Sequence, residues 1–175
     1  MAKGVMKKAK PICSVGVVMG SDSDLPVMQR CLEVLESFGL GYEVRIISAH
    51  RTPEIAHEYA VTAVARGLKV LIAAAGMSAA LGGVLAANTT LPVIGVPMAS
   101  GPLAGMDAAL STMQMPPGVP VACMAIDKAG ATNAGIFAAQ ILAVADKAVA
   151  ARLVEFKKDQ ARKVVEKDQA LKRKT

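Results

Sequence analysis

A chain of 175 residues that is 53% apolar but only 3% aromatic, with no Trp, must fill one core with Ala, Val, Ile, Leu and its ten Met. The net charge of +6 sits at the ends: four Lys within the first ten residues give +4, residues 152–174 give +5, and the body between is left at −3. Basic ends on a mildly acidic body, with few aromatics to stack bases, exclude a nucleic-acid-binding domain, and no apolar run reaches the ~18 residues of a membrane span.

Residues 1–11 read as a basic tail that leads into a strand rather than a signal-peptide core, so a cytoplasmic protein is expected. Residues 12–19 form a buried parallel strand, and residues 24–38 follow with helical spacing stopped by Gly39. A second strand covers 42–48, and a second helix runs from Pro53 to about Arg66, with Thr52 as N-cap and Gly67 as its stop. Then come a strand at 70–74, a short helix at 78–87, a strand at 92–96, a Gly/Pro loop and a helix near 103–112. A fifth strand is expected at 119–126, a long Ala-rich helix at 129–150 and a charged helix at 152–172.

Strands alternating with helices mean βαβ units and a parallel sheet covered on both faces. The fold expected is α/β: a flavodoxin-like three-layer α/β/α sandwich with a five-stranded parallel sheet. It occupies one domain, 12–150, followed by a C-terminal helical segment, 151–175, that extends and packs on a neighbouring subunit or lies frayed on the surface. A mean hydropathy of +0.42 also points to apolar surface buried between subunits. Cys13, Cys31 and Cys123, odd in number and without CxxC spacing, read as ordinary buried thiols with no disulfide or metal role.

In a parallel sheet the loops after the strands share one edge, where ligands bind. After strand one, Gly20-Ser21-Asp22-Ser23-Asp24 suits a phosphate or is simply an N-capped turn. It is neither GxGxxG nor a Walker pattern, so nicotinamide or ATP binding is unsupported. After strand two, Ser48-Ala49-His50-Arg51-Thr52-Pro53 puts an imidazole and a guanidinium beside a helix start. Arg51 can grip a phosphate or carboxylate through two N–H groups, and His50, one of two histidines, is the candidate proton carrier. His57, inside the helix, reads as a surface or packing residue. After strand three, small residues from Ala75 to Gly83 (among them Gly76, Ser78, Ala80 and Leu81) allow close backbone approach to a ligand, or else close helix packing. The Gly/Pro-rich segments 100–107 and 114–118 suit a site cover or an interface.

The ordered set Met19-Gly20-Ser21-Asp22-Ser23-Asp24, Ser48 to Pro53, Pro92-Val93-Ile94-Gly95-Val96-Pro97, Gln114-Met115-Pro116-Pro117-Gly118-Val119-Pro120-Val121 and Lys128-Ala129-Gly130-Ala131-Thr132-Asn133-Ala134 closely resembles one family. That family carboxylates aminoimidazole ribonucleotide in purine biosynthesis. The resemblance implies a homo-octamer with sites at subunit contacts and no cofactor. It implies that Ser21, Asp24 and Arg51 bind the ribonucleotide, with Ser21 and Arg51 near its phosphate. Ser48 lines the site, and His50 is the general acid/base. The bacterial branch is a mutase that moves a carboxyl group from the exocyclic nitrogen to ring carbon 4. The sister branch carboxylates aminoimidazole ribonucleotide directly with carbon dioxide.

At one place the chain departs from the usual mutase pattern. Met77 replaces a Gly, Ser78 an Ala, Ala80 a second histidine and Gly82 a Pro. Ser78, Ala80 and Leu81 look like the sister branch, whereas Arg51, Pro53 and residues 114–121 look like the mutase, which is the reading favoured. The reading from another class is a flavodoxin-like nucleotide-binding regulatory module, which needs no proton carrier at a strand end.

Overall fold

The computed structural model describes residues 13–173; the basic tail, Ile12 and residues 174–175 lie outside the described residues. Five parallel strands, β1 (Cys13–Met19), β2 (Gly41–Ile46), β3 (Val70–Gly76), β4 (Val93–Met98) and β5 (Ala122–Cys123), pair in the order β2-β1-β3-β4-β5. This is the flavodoxin-like order, and the chain reverses direction across the sheet between β1 and β3.

Side-chain alternation divides the core into two. Val15, Val17 and Met19 of β1, Ile72 and Ala74 of β3, and Ile94, Val96 and Met98 of β4 face α1 (Leu25–Ser37) and α5 (Asp127–Ala143). On the other face Val18, Leu71, Ala73 and Val93 pack under α2 (Pro53–Thr62) and α3 (Leu81–Ala87), with α4 (Met106–Met113) beside them over Gly95. The shortage of aromatics is met by close approach. A Cβ on Gly135 of α5 would lie 2.9 Å from Val34 of α1, and one on Gly95 would lie 2.2 Å from Thr112 of α4. Cys31 lies buried in that first core, where burial pushes its thiol up to about 12. Cys13 and Cys123 are free and only half-buried, against the expectation of burial.

Several boundaries differ from those expected, each for a local reason. The helix expected from residue 78 begins at Leu81. Met77 is left-handed at φ 55°, and Ala79 and Ala80 are spent in tight turns back to the carbonyls of Met77 and Ser78. The helix expected from 103 begins at Met106, because Gly101, Ala104 and Gly105 all have positive φ. The fifth strand keeps two residues of an expected eight; Pro120 has no N–H to offer the ladder. The second helix ends at Thr62, after which turns lead to Gly67 at φ 90°.

The break between the last two helices falls at 144–146 rather than at 151. Asp146 sets it by accepting from the N–H groups of Ala148 (2.8 Å) and Val149 (3.1 Å), so α6 runs from Lys147 to Lys172. The start of α6 is held on the body by buried Val149 and by Phe156, whose ring meets Phe38 edge-on at 5.4 Å. From Lys157 onward its residues are exposed, with ion pairs along its own surface such as Arg162–Asp159 (2.9 Å).

Candidate active site

At the carboxyl ends of β1 to β4, over the point where the strand order reverses, lies a cleft of about 440 Å³. Its position follows from the chain path. The N–H of Gly20 donates to Ala74 (3.0 Å) and that of Ile47 to Met19 (2.8 Å), so the ends of β1, β2 and β3 are stitched level and their loops rise together.

The β1 loop is a 3-10 turn, Asp22–Asp24, capped on itself. The Ser21 hydroxyl accepts from the Ser23 N–H (3.3 Å) and hydroxyl (2.8 Å), while the Asp24 carboxylate accepts from the Ser21 N–H (3.3 Å). Asp24 is one of two buried polar side chains in the described core. Burial raises its pKa, opposed by the Ser21 N–H and reinforced by the charges of Asp127 and Asp22.

The β2 loop folds around Ser48. Its hydroxyl accepts from the Arg51 N–H (3.2 Å) and Nε (3.3 Å), and its carbonyl accepts from the Thr52 N–H (2.8 Å). Thr52 stands at the N-cap position of α2, but its hydroxyl does not cap the helix; it donates to the Ser48 carbonyl (2.9 Å) and accepts from the Ser48 N–H (3.1 Å), locking the turn. Arg51 Nη2 reaches across to the Gly20 carbonyl at 2.9 Å, leaving Nη1 without a protein partner among the described residues. His50, between Ser48 and Arg51 in this turn, is exposed on the cleft. His57 lies on α2 outside it, with Nδ1 2.8 Å from Asn88 Oδ1.

The β3 and β4 ends form the opposite wall. Gly76, Ser78, Ala80 and Leu81 line it with Met77. Met77 occupies the left-handed region, which suits Gly better than Met. Thus Ser21, Asp24, Ser48, His50, Arg51, Gly76, Ser78, Ala80 and Leu81, all expected at one site, border a single cleft. The residues 114–118 do not; Met115 packs on Gly83 of α3 instead. Two hydroxyl residues, Ser23 and Ser100, border the cleft without having been singled out. Ser100 is the second residue beyond β4, and its place on the cleft depends on Gly76 across the sheet, a contact that no local pattern shows.

Chemically, the described residues lining the cleft offer one permanent cation, Arg51, one imidazole, one buried carboxyl and several hydroxyls. Among the described residues no three His, Cys, Asp or Glu converge as a metal site would need, and no helix is long and apolar enough to cross a membrane.

The family model described as AIR carboxylase matches residues 14–163. The N5-carboxyaminoimidazole ribonucleotide mutase of Pyrococcus horikoshii is 52% identical over 166 residues, covering 95% of this chain and 92% of that protein. The protein of the same name from Thermotoga maritima is 52% identical over 157 residues, covering 90% and 91%. Among solved structures, Treponema denticola PurE superposes with a TM-score of 0.78 at 32% identity, covering 90% of this chain and 97% of that one.

Proposed function

Because the chain belongs to the AIR carboxylase family, we propose that it is an N5-carboxyaminoimidazole ribonucleotide mutase of purine biosynthesis. It moves the carboxyl group from the exocyclic nitrogen of the aminoimidazole to ring carbon 4. Relatives of about half-identical sequence carry the mutase name, which favours this reading over direct carboxylation and over a binding module without turnover. The observation that carries the mechanism is the adjacency of one imidazole and one guanidinium, His50 and Arg51, on a cleft over the sheet's switch point.

Arg51 and Ser21 take the phosphate, Asp24 the sugar hydroxyls and Ser48 the turn that orients the pair. The β3 wall, Gly76, Ser78, Ala80 and Leu81, meets the heterocycle. The His50 imidazolium gives its proton to the exocyclic nitrogen as the N–C bond breaks, its electron pair staying on nitrogen. Carbon dioxide and neutral aminoimidazole ribonucleotide result. Ring carbon 4 then attacks the trapped carbon dioxide, and His50 removes the proton from that carbon, restoring aromaticity and its own starting charge. No metal or organic cofactor enters these steps.

Trapping carbon dioxide needs a closed chamber, yet in the single chain His50 is exposed. Met77 on the rim and Leu103, Met106, Leu110 and Met113, on α4 and the loop before it, are exposed apolar groups. These features support a homo-oligomer, an octamer by family likeness, whose neighbouring copies complete the chamber in the cytoplasm.

The test supplies the purified protein with either N5-carboxyaminoimidazole ribonucleotide or aminoimidazole ribonucleotide plus bicarbonate. The expected result is conversion of the first at low carbon dioxide, without ATP. Product formed only from the second would make the protein a direct carboxylase, and no product from either would leave a binding module.

A further inference from the structure

The β4 end contributes a group with no assigned role. Ser100 borders the cleft on the side away from Arg51, and its hydroxyl has no hydrogen-bond partner among the described residues. Its placement is tightly determined. The N–H of Ala99 is held by the Asp127 carboxylate at 3.0 Å, the N–H of Ser100 donates to the Met98 carbonyl at 2.9 Å, and Gly101 follows at φ 80°. The Ser100 side chain lies directly over Gly76: a Cβ there would stand 1.6 Å from the Ser100 Oγ and 3.0 Å from its Cβ. Glycine at 76 is therefore what admits the hydroxyl to the wall.

Strands about 4.8 Å apart put the β4 end roughly 14 Å from that of β2. A ribonucleotide anchored by its phosphate on Arg51 thus directs its heterocycle across the switch point toward β3 and β4. Among the described residues the wall there is Ala75, Gly76, Met77, Ala80 and Leu81, with no cation and only the hydroxyls of Ser78 and Ser100. Ser78 is exposed on its turn, whereas Ser100 is half-buried and fixed.

Resting on the function proposed above, we propose that the Ser100 hydroxyl donates a hydrogen bond to the carboxylate of the carboxylated ribonucleotide. A neutral donor in an otherwise apolar wall suits a carboxylate that must depart as neutral carbon dioxide. A fixed cation would hold the charged form and oppose its departure.

Calorimetry of Ser100→Ala with 4-carboxy-5-aminoimidazole ribonucleotide and with uncarboxylated aminoimidazole ribonucleotide tests the contact. The carboxylated ligand is expected to bind roughly tenfold more weakly and the uncarboxylated one within twofold, with an unchanged melting temperature. Equal losses for both ligands, or none for either, would overturn the assignment. If the wild-type protein binds both ligands but turns neither over, the mutase reading fails, while the difference between the ligands still decides the role of Ser100.

Discussion

Arg51 Nη2 donates to the Gly20 carbonyl at 2.9 Å, so one guanidinium ties together the loops that follow β1 and β2. With Nε on the Ser48 hydroxyl, the side chain is pre-oriented before any ligand arrives, and the cost of ordering it is already met by folding.

Replacing Arg51 with Ala removes the only permanent cation on the cleft among the described residues. Ribonucleotide affinity is expected to fall by about 1.5–3 kcal/mol, and Arg51→Lys to recover only part, since an ammonium lacks the fork that reaches Gly20, Ser48 and a phosphate together. Calorimetry with the substrate-class nucleotide measures this; unchanged affinity in Arg51→Ala would remove the residue from the site.

Asp24 gives a prediction for pH. Burial raises its pKa above the ordinary 3.8, so the folded protein holds this proton more tightly than the unfolded chain does. Its stabilising contribution is complete below the unfolded value and is lost as pH rises through the raised folded one. Asp24→Asn removes that loss while keeping an acceptor for the Ser21 N–H. Denaturant midpoints should therefore show the variant gaining on the wild type as pH rises above the ordinary carboxylate range. A difference that stays constant, or shrinks, contradicts the assigned direction.

Gly130 opens a close passage at the start of α5. A Cβ there would lie 1.7 Å from the Ala125 carbonyl oxygen, which is backbone and cannot rotate aside. Gly130→Ala is expected to cost about 2–3 kcal/mol of stability, outweighing the better helix propensity of Ala. Chemical denaturation decides it, and a neutral or stabilising result would mean that the 125–130 corner yields easily.

Helix α6 beyond its contact with the body is exposed and carries Val164, Val165 and Leu171 among charged residues. Deleting residues 161–175 should reduce the assembly size seen by sedimentation and lower the unfolding midpoint with it, while far-UV circular dichroism shows the α/β body still folded. An unaltered assembly would put the subunit contacts elsewhere.

How much of this was legible in the sequence varies by element. The strands β1, β3 and β4 announce themselves as apolar runs, because a sheet buried on both faces leaves no polar alternation. The Thr52-Pro53-Glu54 start fixes where α2 begins, and hence which edge His50 and Arg51 occupy. The break at 144–146 was hidden because the Ala-rich run has helical propensity straight through it, and only the bonds from Asp146 to two N–H groups reveal the new start. The late onset of α3 and α4 comes from positive φ at Met77 and Ala104, residue types that give no sign of it. Ser100 was passed over for a related reason: its significance lies in the missing Cβ of Gly76, a contact between strands that no local pattern encodes.

The central claim is that His50 alone carries protons for carboxyl migration, and His50→Asn tests it most directly. Asn keeps a polar side chain of similar reach but cannot carry a proton near neutral pH. Measured side by side, turnover of N5-carboxyaminoimidazole ribonucleotide should fall by at least about a thousandfold while ribonucleotide affinity stays within a few-fold. A variant that still isomerises its substrate at near the wild-type rate would contradict the account.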